Sequence, residues 1–153
     1  MEKVLTFRPV TVAEVFGAPD ADTLISEYMA ESGNPFLPQK PNVEYYRKAE
    51  ESGAFHVIGA FSGERLVGFG SFVLTVIPHY STVTASVESV FLSKDFRLGA
   101  AGIRLINAVS QAARDSGASG IYWGCRSGSR LETLFERVPR FTRMNTVFYE
   151  ALA

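Results

Sequence analysis

Hydrophobic and polar residues alternate along the middle of the chain, and then the alternation breaks. Every second residue is apolar from Val83 to Val87, whereas Val90 is followed by two more apolar residues. The alternation predicts a strand over Thr82–Leu92 with one buried face. Because a change of phase within a strand moves side chains to the other face, it also predicts a β-bulge near Glu88–Val90.

The remaining periodicities predict both strands and helices. Further strands are predicted over Val4–Arg8 (ended by Pro9), Phe55–Phe61, Leu66–Ile77, Ile121–Cys125 and Val147–Ala151. Helices are predicted over Asp20–Glu31, Asn42–Glu51, from about Gly102 to Gly117, and over Arg130–Arg137. The strand Leu66–Ile77 is almost entirely apolar and is expected to be buried on both faces. This order predicts an α/β or α+β domain with a mixed sheet.

Composition narrows the class of protein. The 153 residues, 46% of them hydrophobic, suffice for one packed domain spanning 1–153. A net charge of −1 argues against nucleic-acid binding through a general basic field. The longest apolar stretch, Leu66–Pro78, is too short for a membrane-spanning helix, so no membrane partner is expected.

The N-terminal residues and the single cysteine both favour a cytoplasmic setting. The first residues show no secretion signal pattern. A single cysteine, Cys125, allows no internal disulfide, so a reducing, cytoplasmic setting is expected. We interpret Cys125 as a buried structural thiol. Two histidines and one cysteine provide no zinc-ligand spacing, so no metal is expected.

The junction Arg97–Gly102 carries the strongest local signal. Small residues at 99–102 let a ligand approach the backbone, and the first N–H groups of a helix form an anion site. Arg97 can add a positive charge. The alternative is that these small residues allow the helix to pack closely on the sheet. The segment lacks the Gly-Lys-Ser/Thr of a nucleoside-triphosphate loop, and its glycine spacing misses the dinucleotide fingerprint.

The same segment resembles the acetyl-CoA signature of the GNAT acetyltransferase superfamily, Gln/Arg-x-x-Gly-x-Gly/Ala. Arg97 matches its first position and Gly102 its last, while Ala100 stands where the family usually has glycine. Leu105 and the apolar run Val90–Leu92 also match. The resemblance covers nearly the whole chain and implies the GNAT fold, a mostly antiparallel mixed sheet of about six or seven strands flanked by about four helices.

The resemblance further implies how acetyl-CoA would bind, as co-substrate. The pantetheine arm would pair with the backbone of the fourth strand at Val90, Phe91 and Leu92. The pyrophosphate would lie on the N–H groups of Arg97, Leu98, Gly99, Ala100, Ala101 and Gly102. The strand Ile121–Cys125 would diverge from the fourth strand, and the thioester arm would lie in the gap.

Acetyl transfer needs a neutral amine, whose pKa in a lysine-like acceptor is about 10.4. A general base must therefore remove a proton. Glu88 is our candidate, acting through water, as a glutamate here often does in the family. The alternative is a solvent-facing or ion-paired glutamate. An N–H near Phe91 or Leu92 would stabilise the oxyanion.

The general acid departs from the family pattern. Many members have Leu-Tyr where this chain has Leu134-Phe135, and Phe135 cannot donate a proton. Water would then assist the leaving thiolate, or one of four other groups would serve: Tyr149, Ser129, His79 or Cys125. A catalytically degenerate domain that binds acyl-CoA as a sensor or interaction module is therefore the alternative to an N-acetyltransferase.

The acceptor site is predicted from aromatic residues in two loops. In the family, the turn holding His79 and Tyr80 and the region between the first two helices often shape this site. Phe36, Tyr45 and Tyr46 come from the latter region, although both tyrosines would alternatively pack a helix against the sheet. The predicted acceptor is a primary amine of a small molecule or a protein, and a homodimer through the C-terminal strand is a further expectation.

Overall fold

A five-stranded mixed sheet organises the protein in the computed structural model, which describes residues 4–153. Its strands, in spatial order, are β1 (Thr6–Val10), β2 (Phe55–Ser62), β3 (Arg65–Ile77), β4 (Thr82–Leu92) and β5 (Ile121–Tyr122). Strands β1 to β4 pair antiparallel, and β4 and β5 pair parallel. The mixed, mostly antiparallel sheet is confirmed, but the expected six or seven strands are five. Residues 1–3, which the N-terminal signal expectation includes, lie outside the described range.

Within residues 4–153, five α-helices flank the sheet. They are α1 (Val12–Phe16), α2 (Ala21–Ser32), α3 (Val43–Glu51), α4 (Ala101–Asp115) and α5 (Arg130–Arg137), with a 3-10 turn at Lys94–Phe96 before α4. The sequence analysis missed α1, which a capping box starts: Thr11 accepts from the Glu14 N–H, and the Glu14 carboxylate accepts from the Thr11 N–H. Asn42 caps α3 as expected, through the Tyr45 N–H.

Each face of the sheet has its own core. On one face α4 packs Leu105 and Val109 against Phe72, which has no exposed surface. The approach is close, because a Cβ on Gly70 would lie 2.4 Å from a Val109 methyl. On the other face α1 and α2 cover a second cluster around Phe69. Helix α4 and the first three helices therefore lie on opposite sides of the sheet.

Three strand predictions need correction. β1 continues through Pro9, since an edge strand tolerates a residue without an N–H. β3 is buried only from Leu66 to Phe72, because its far end extends past the helices as a hairpin with β4. β5 ends at Tyr122, and Val147–Ala151 pairs with none of the described strands and is not a strand in this structure.

Within residues 4–153, no helix has both the length and the apolarity needed to cross a bilayer.

Candidate functional site

The predicted β-bulge is present on β4, and Glu88 is its extra residue. Ser89 pairs with Ser71 and Val87 pairs with the next residue of β3, Phe72, so Glu88 has no partner in the ladder. A bulge places two consecutive side chains on one face of a sheet. Glu88 and Ser89 accordingly both line the same cavity.

The bulge also accounts for the run of apolar residues that follows it. Ala85 and Val87 contribute to the core under α4, and after the bulge Val90 and Leu92 contribute to that same core. Phe91 contributes instead to the core on the opposite face. The shift of phase in the sequence is therefore the shift of one residue at Glu88.

Two tyrosines from different helices hold the bulge. The Tyr46 hydroxyl, on α3, donates to Glu88 Oε1 at 2.6 Å. The Tyr28 hydroxyl, on α2, donates to the Glu88 carbonyl oxygen at 3.3 Å. Burial raises the pKa of Tyr46, and the bond to Glu88 raises that pKa further. Burial and the nearby Glu88 charge likewise raise the pKa of Tyr28. Both hydroxyls therefore stay protonated donors at neutral pH.

The rings of these tyrosines are fixed by other aromatic residues. Tyr28 meets Phe69 and Phe91 edge-on, with ring centroids 5.3 and 5.8 Å apart. Tyr46 packs against Phe55 at 4.9 Å. Such aromatic pairs stabilise by about 0.5–1.5 kcal/mol beyond their buried area. Tyr28 lies within the predicted helix Asp20–Glu31, and no local signal in the sequence connects it to a bulge 60 residues away.

A cavity of about 570 Å³ opens beside Glu88, a volume typical of small-molecule sites. The face of the sheet forms one wall and α1, α2 and the loop before α3 form the others. The lining residues are Val12, Val15, Phe16, Ile25, Tyr28, Met29, Ser32, Gly33, Asn34, Leu37, Pro38, Lys40, Pro41, Asn42, Tyr46, Phe55, Val57, Phe69, Ser71, Glu88 and Ser89. Tyr46 thus both packs its helix against the sheet and lines this cavity.

Strands β4 and β5 pair over two residues only. Ala85 pairs with Ile121 and Ser86 with Tyr122, and the edge of β4 beyond Ser86 has no strand partner among the described residues. N–H directions alternate along a strand. Because the Ser93 N–H donates to Val67 on the β3 side, the N–H of Leu92 points to the open edge. The geometry offers a backbone edge and a gap where the thioester arm was expected.

At the start of α4, packing does not require the absence of a side chain at Gly102. A Cβ built on Gly102 meets nothing within 4 Å, whereas the neighbouring Ala101 is buried in the core. Within residues 4–153, the N–H groups of Gly102 and Ile103 donate no hydrogen bond to another backbone group. Gly99 supplies the turn into the helix with φ of 58°. Close packing therefore accounts for Ala101 but not for Gly102, and an anion site at this helix start stays a prediction.

Arg97 does something other than add a free charge. Its guanidinium pairs with Glu31 at 2.7 Å, its Nε donates to the Leu92 carbonyl, and it lies 5.2 Å from the centre of the Phe91 ring. Arg97 therefore ties the end of β4 to the end of α2. The ion pair with Glu31 offsets the charge of Arg97, and a contribution of Arg97 to anion binding stays a prediction.

Arg126 makes a second connection to the same helix end. It donates to the carbonyls of Glu31 at 2.8 Å and Gly33 at 3.1 Å. The carbonyl end of a helix carries partial negative charge, which a cation there stabilises. The loop after β5 is thereby attached to α2, and the two strands flanking the gap are joined through one helix terminus.

Of the five residues predicted to shape the acceptor site, Tyr46 lines the cavity and the other four do not. Phe36 stacks on Tyr149 at 5.7 Å, and Tyr45 is 69% exposed. His79 and Tyr80 lie at the β3–β4 turn, at least six residues along β3 from Ser71, or about 20 Å. Their role stays a prediction.

None of the general-acid candidates is joined to Glu88 by a hydrogen bond within the described residues. Phe135, at the expected tyrosine position, packs against Trp123 at 5.6 Å and Phe141 at 4.8 Å. Ser129 caps α5. The Cys125 thiol is exposed, so its interpretation as a buried thiol is wrong: β5 ends before it, which leaves it in a loop. Partial desolvation still raises the pKa of this thiol.

Comparison with known families now identifies the class. The site combines a helix start with unbonded N–H groups, a bulged strand and a strand edge left open by the short β4–β5 pairing. Residues 21–134 match the model of the acetyltransferase (GNAT) family, and the chain belongs to that family. The resemblance in the sequence analysis is thereby confirmed.

Solved structures with the same fold have diverse activities. An aminoglycoside acetyltransferase from an uncultured soil metagenomic sample, in complex with sisomicin, is 17% identical, with 97% of each chain covered and a TM-score of 0.74. The ribosomal-protein-alanine N-acetyltransferase of Brucella melitensis is also 17% identical, with 97% of each chain covered and a TM-score of 0.73. The glucosamine-6-phosphate N-acetyltransferase of Arabidopsis thaliana is 9% identical, with 98% of this chain and 99% of that chain covered and a TM-score of 0.70.

These likenesses establish a shared fold. A search among curated proteins gave no match.

Proposed function

We propose that this GNAT-family protein transfers the acetyl group of acetyl-CoA to a primary amine, with Glu88 as general base. The observation that carries the proposal is the bulge. It turns the Glu88 side chain toward a cavity of about 570 Å³ while the open edge of β4 continues directly beyond it. A base and a place for the thioester arm thereby meet at one point of one strand.

The cofactor side of the proposal is supported by the α4 start. The N–H groups of Gly102 and Ile103 would bind the pyrophosphate of acetyl-CoA, together with those of residues 98–100. The N–H groups of Arg97 and Ala101 already donate to the carbonyls of Lys94 and Leu98. The open edge of β4 at Val90–Leu92 would pair with the pantetheine arm. The missing Cβ of Gly102 leaves the phosphate oxygens room to approach the helix axis.

On the acceptor side, the amine would enter from the cavity. Glu88, directly or through one water, takes the proton from the amine nitrogen, which then forms a bond to the thioester carbonyl carbon. Tyr46 keeps one carboxylate oxygen hydrogen-bonded, so the other is available for the proton. Of the two candidate oxyanion donors, the direction of its N–H favours Leu92 over Phe91. The C–S bond then breaks, and the leaving thiolate of CoA takes the second proton of the attacking nitrogen through water. Glu88 returns its proton to solvent.

A binding module without turnover is the second candidate, and Phe135 favours it. This side chain contributes to an aromatic cluster and has no hydroxyl to protonate a thiolate. Both functions require acetyl-CoA binding, and only the enzyme releases free thiol in the presence of an amine.

The test is Glu88→Gln, with Glu64→Gln in the β2–β3 turn as the matched control. Acetyl-CoA affinity, measured by calorimetry, should stay within about twofold in both variants. Thiol release with an amine panel should fall about 100-fold or more in Glu88→Gln alone, the range typical of an acid–base group. An unchanged rate would remove Glu88 from the mechanism. If no amine in the panel caused thiol release from acetyl-CoA, the binding module would be favoured. If no CoA thioester raised the melting temperature, both candidate functions would be overturned.

A further inference from the structure

The charges around the cavity restrict the kind of amine that it accepts. Among the described lining residues, Glu88 has the one carboxylate and Lys40 the one cationic side chain. Most of the others are apolar or aromatic. The cavity is therefore an apolar chamber with a single acidic point at the bulge and an exposed ammonium in the loop before α3.

The polar lining residues add few acceptors for a second ammonium group. The Ser71 and Ser89 hydroxyls bond each other at 2.5 Å. The side-chain carbonyls of Asn34 and Asn42 already accept the backbone N–H groups of Phe36 and Tyr45. A buried ammonium without an acceptor is strongly unfavourable. Glu88 is thus the one anionic acceptor for an ammonium among the described lining residues, and the others, including the Ser32 hydroxyl, are neutral.

The walls of the cavity away from Glu88 are apolar. Ile25, Tyr28 and Met29 form the α2 wall, and Phe16 and Phe55 face them from other elements. Removing apolar surface from water stabilises a complex by about 25 cal/mol per Å². An acceptor with an aromatic or branched aliphatic body would bury that body against this apolar surface. A polycation would instead place desolvated charges against the apolar surface and close to the Lys40 ammonium.

We propose that the acceptor is a small monoamine with an apolar body, of the arylalkylamine type, and that polycationic amines are poor acceptors. This inference rests on the proposed function and specifies the substrate class of the same site. It separates this chain from the fold relative that was solved with sisomicin, an aminoglycoside, since aminoglycosides have several ammonium groups.

The experiment compares kcat/KM for thiol release from acetyl-CoA with 2-phenylethylamine, spermidine, sisomicin and a short peptide with a free N-terminus. We expect 2-phenylethylamine to exceed each of the others by about tenfold or more, the discrimination that unpaired or missing contacts produce. Faster turnover of spermidine, sisomicin or the peptide would overturn the inference while leaving the acetyltransferase proposal intact. If none of the four amines supported thiol release, both the acceptor inference and the acetyltransferase proposal would be overturned.

A variant pair ties the preference to the chamber. Ile25→Ala should lower kcat/KM for 2-phenylethylamine about tenfold and leave that for methylamine, which has no apolar body, within about twofold. Ile77→Ala, at the far end of β3 and outside the chamber, is the matched control and should change neither value. Equal losses for both amines with Ile25→Ala, or the same pattern with Ile77→Ala, would contradict binding of the body against α2.

Discussion

The β4–α4 region and the chain after β5 are built in different ways. β4 is paired with β3 along its length, and its bulge is held from two helices by Tyr28 and Tyr46. After β5, residues 123–153 contain one helix and no strand, and Val147 and Phe148 are 89% and 90% exposed. The match to the family model also ends at Leu134, within α5.

The groups proposed to bind acetyl-CoA and to remove a proton lie in a different region from the expected general-acid position. The base, the anion cradle and the open strand edge all lie on the paired region, where neighbouring strands and helices fix each group. The expected acid position, Phe135, lies in the C-terminal region and contains no donor. The structure thus supports acetyl-CoA binding and proton removal more strongly than protonation of the leaving group, which water must supply in our proposal.

The largest expected effect tests the anion cradle. An aspartate at Gly102 finds open space and is favoured at a helix start, so Gly102→Asp should not lower the free energy of unfolding. It would place a carboxylate beside the proposed pyrophosphate position. Two charges 4 Å apart near a protein surface repel by about 4 kcal/mol, so acetyl-CoA affinity should fall about 100-fold or more.

Calorimetry with acetyl-CoA and urea unfolding measure the two effects separately. Gly120→Asp is the matched control, since a Cβ there also meets nothing within 4 Å and the residue lies outside the junction. Unchanged affinity in Gly102→Asp would mean that the α4 start does not bind the cofactor.

A smaller effect tests how the bulge is held. Tyr46→Phe removes the hydrogen bond to Glu88 Oε1. A hydrogen bond to a charged group contributes about 1.5–3 kcal/mol, so kcat should fall about tenfold while acetyl-CoA affinity stays the same. Tyr45→Phe, on the adjacent and largely exposed residue, is the control and should leave kcat unchanged.

The same pair of variants examines the predicted acceptor role of Tyr45. An acceptor KM raised by Tyr45→Phe would place the acceptor outside the cavity. A kcat unaffected by Tyr46→Phe would show that Glu88 needs no positioning by α3.

Sequence analysis predicted the local elements better than their contacts. The sequence pattern predicted β4 over Thr82–Leu92 and α5 over Arg130–Arg137, with the bounds that the structure shows. The link between Tyr46 and Glu88 spans 42 residues and depends on how α3 packs, which no local pattern encodes. Arg97 was correctly placed at the junction, but its partner, Glu31, is 66 residues away.

The failed prediction of a final strand has a different cause. The residues Val147–Ala151 suit a strand, but a strand needs a neighbour for its N–H and C=O groups. Val147–Ala151 pairs with none of the described strands, and β5 itself pairs with β4 over two residues only. Local propensity was therefore outweighed by the absence of a partner within the described chain.

The smallest expected effect sharpens the contrast between the regions. Tyr149 stacks on Phe36 and is 51% exposed, so Tyr149→Ala should lower the free energy of unfolding by about 1 kcal/mol or less. Phe72→Ala, in the core under α4, should lower it by about 3–5 kcal/mol. Urea unfolding measures both. Similar losses in the two variants would show that the C-terminal segment is part of the core and that the contrast is wrong.

The bulge has one more consequence. Ser71 and Phe72 are consecutive on β3 and pair with Ser89 and Val87, so a chain lacking Glu88 would form an uninterrupted ladder. Every side chain before and after that point would keep its present face. The fold is therefore complete without Glu88, and the proposed chemistry depends on a single inserted residue. An ancestor could have gained this site, or a descendant could lose it, by one codon without rebuilding the sheet.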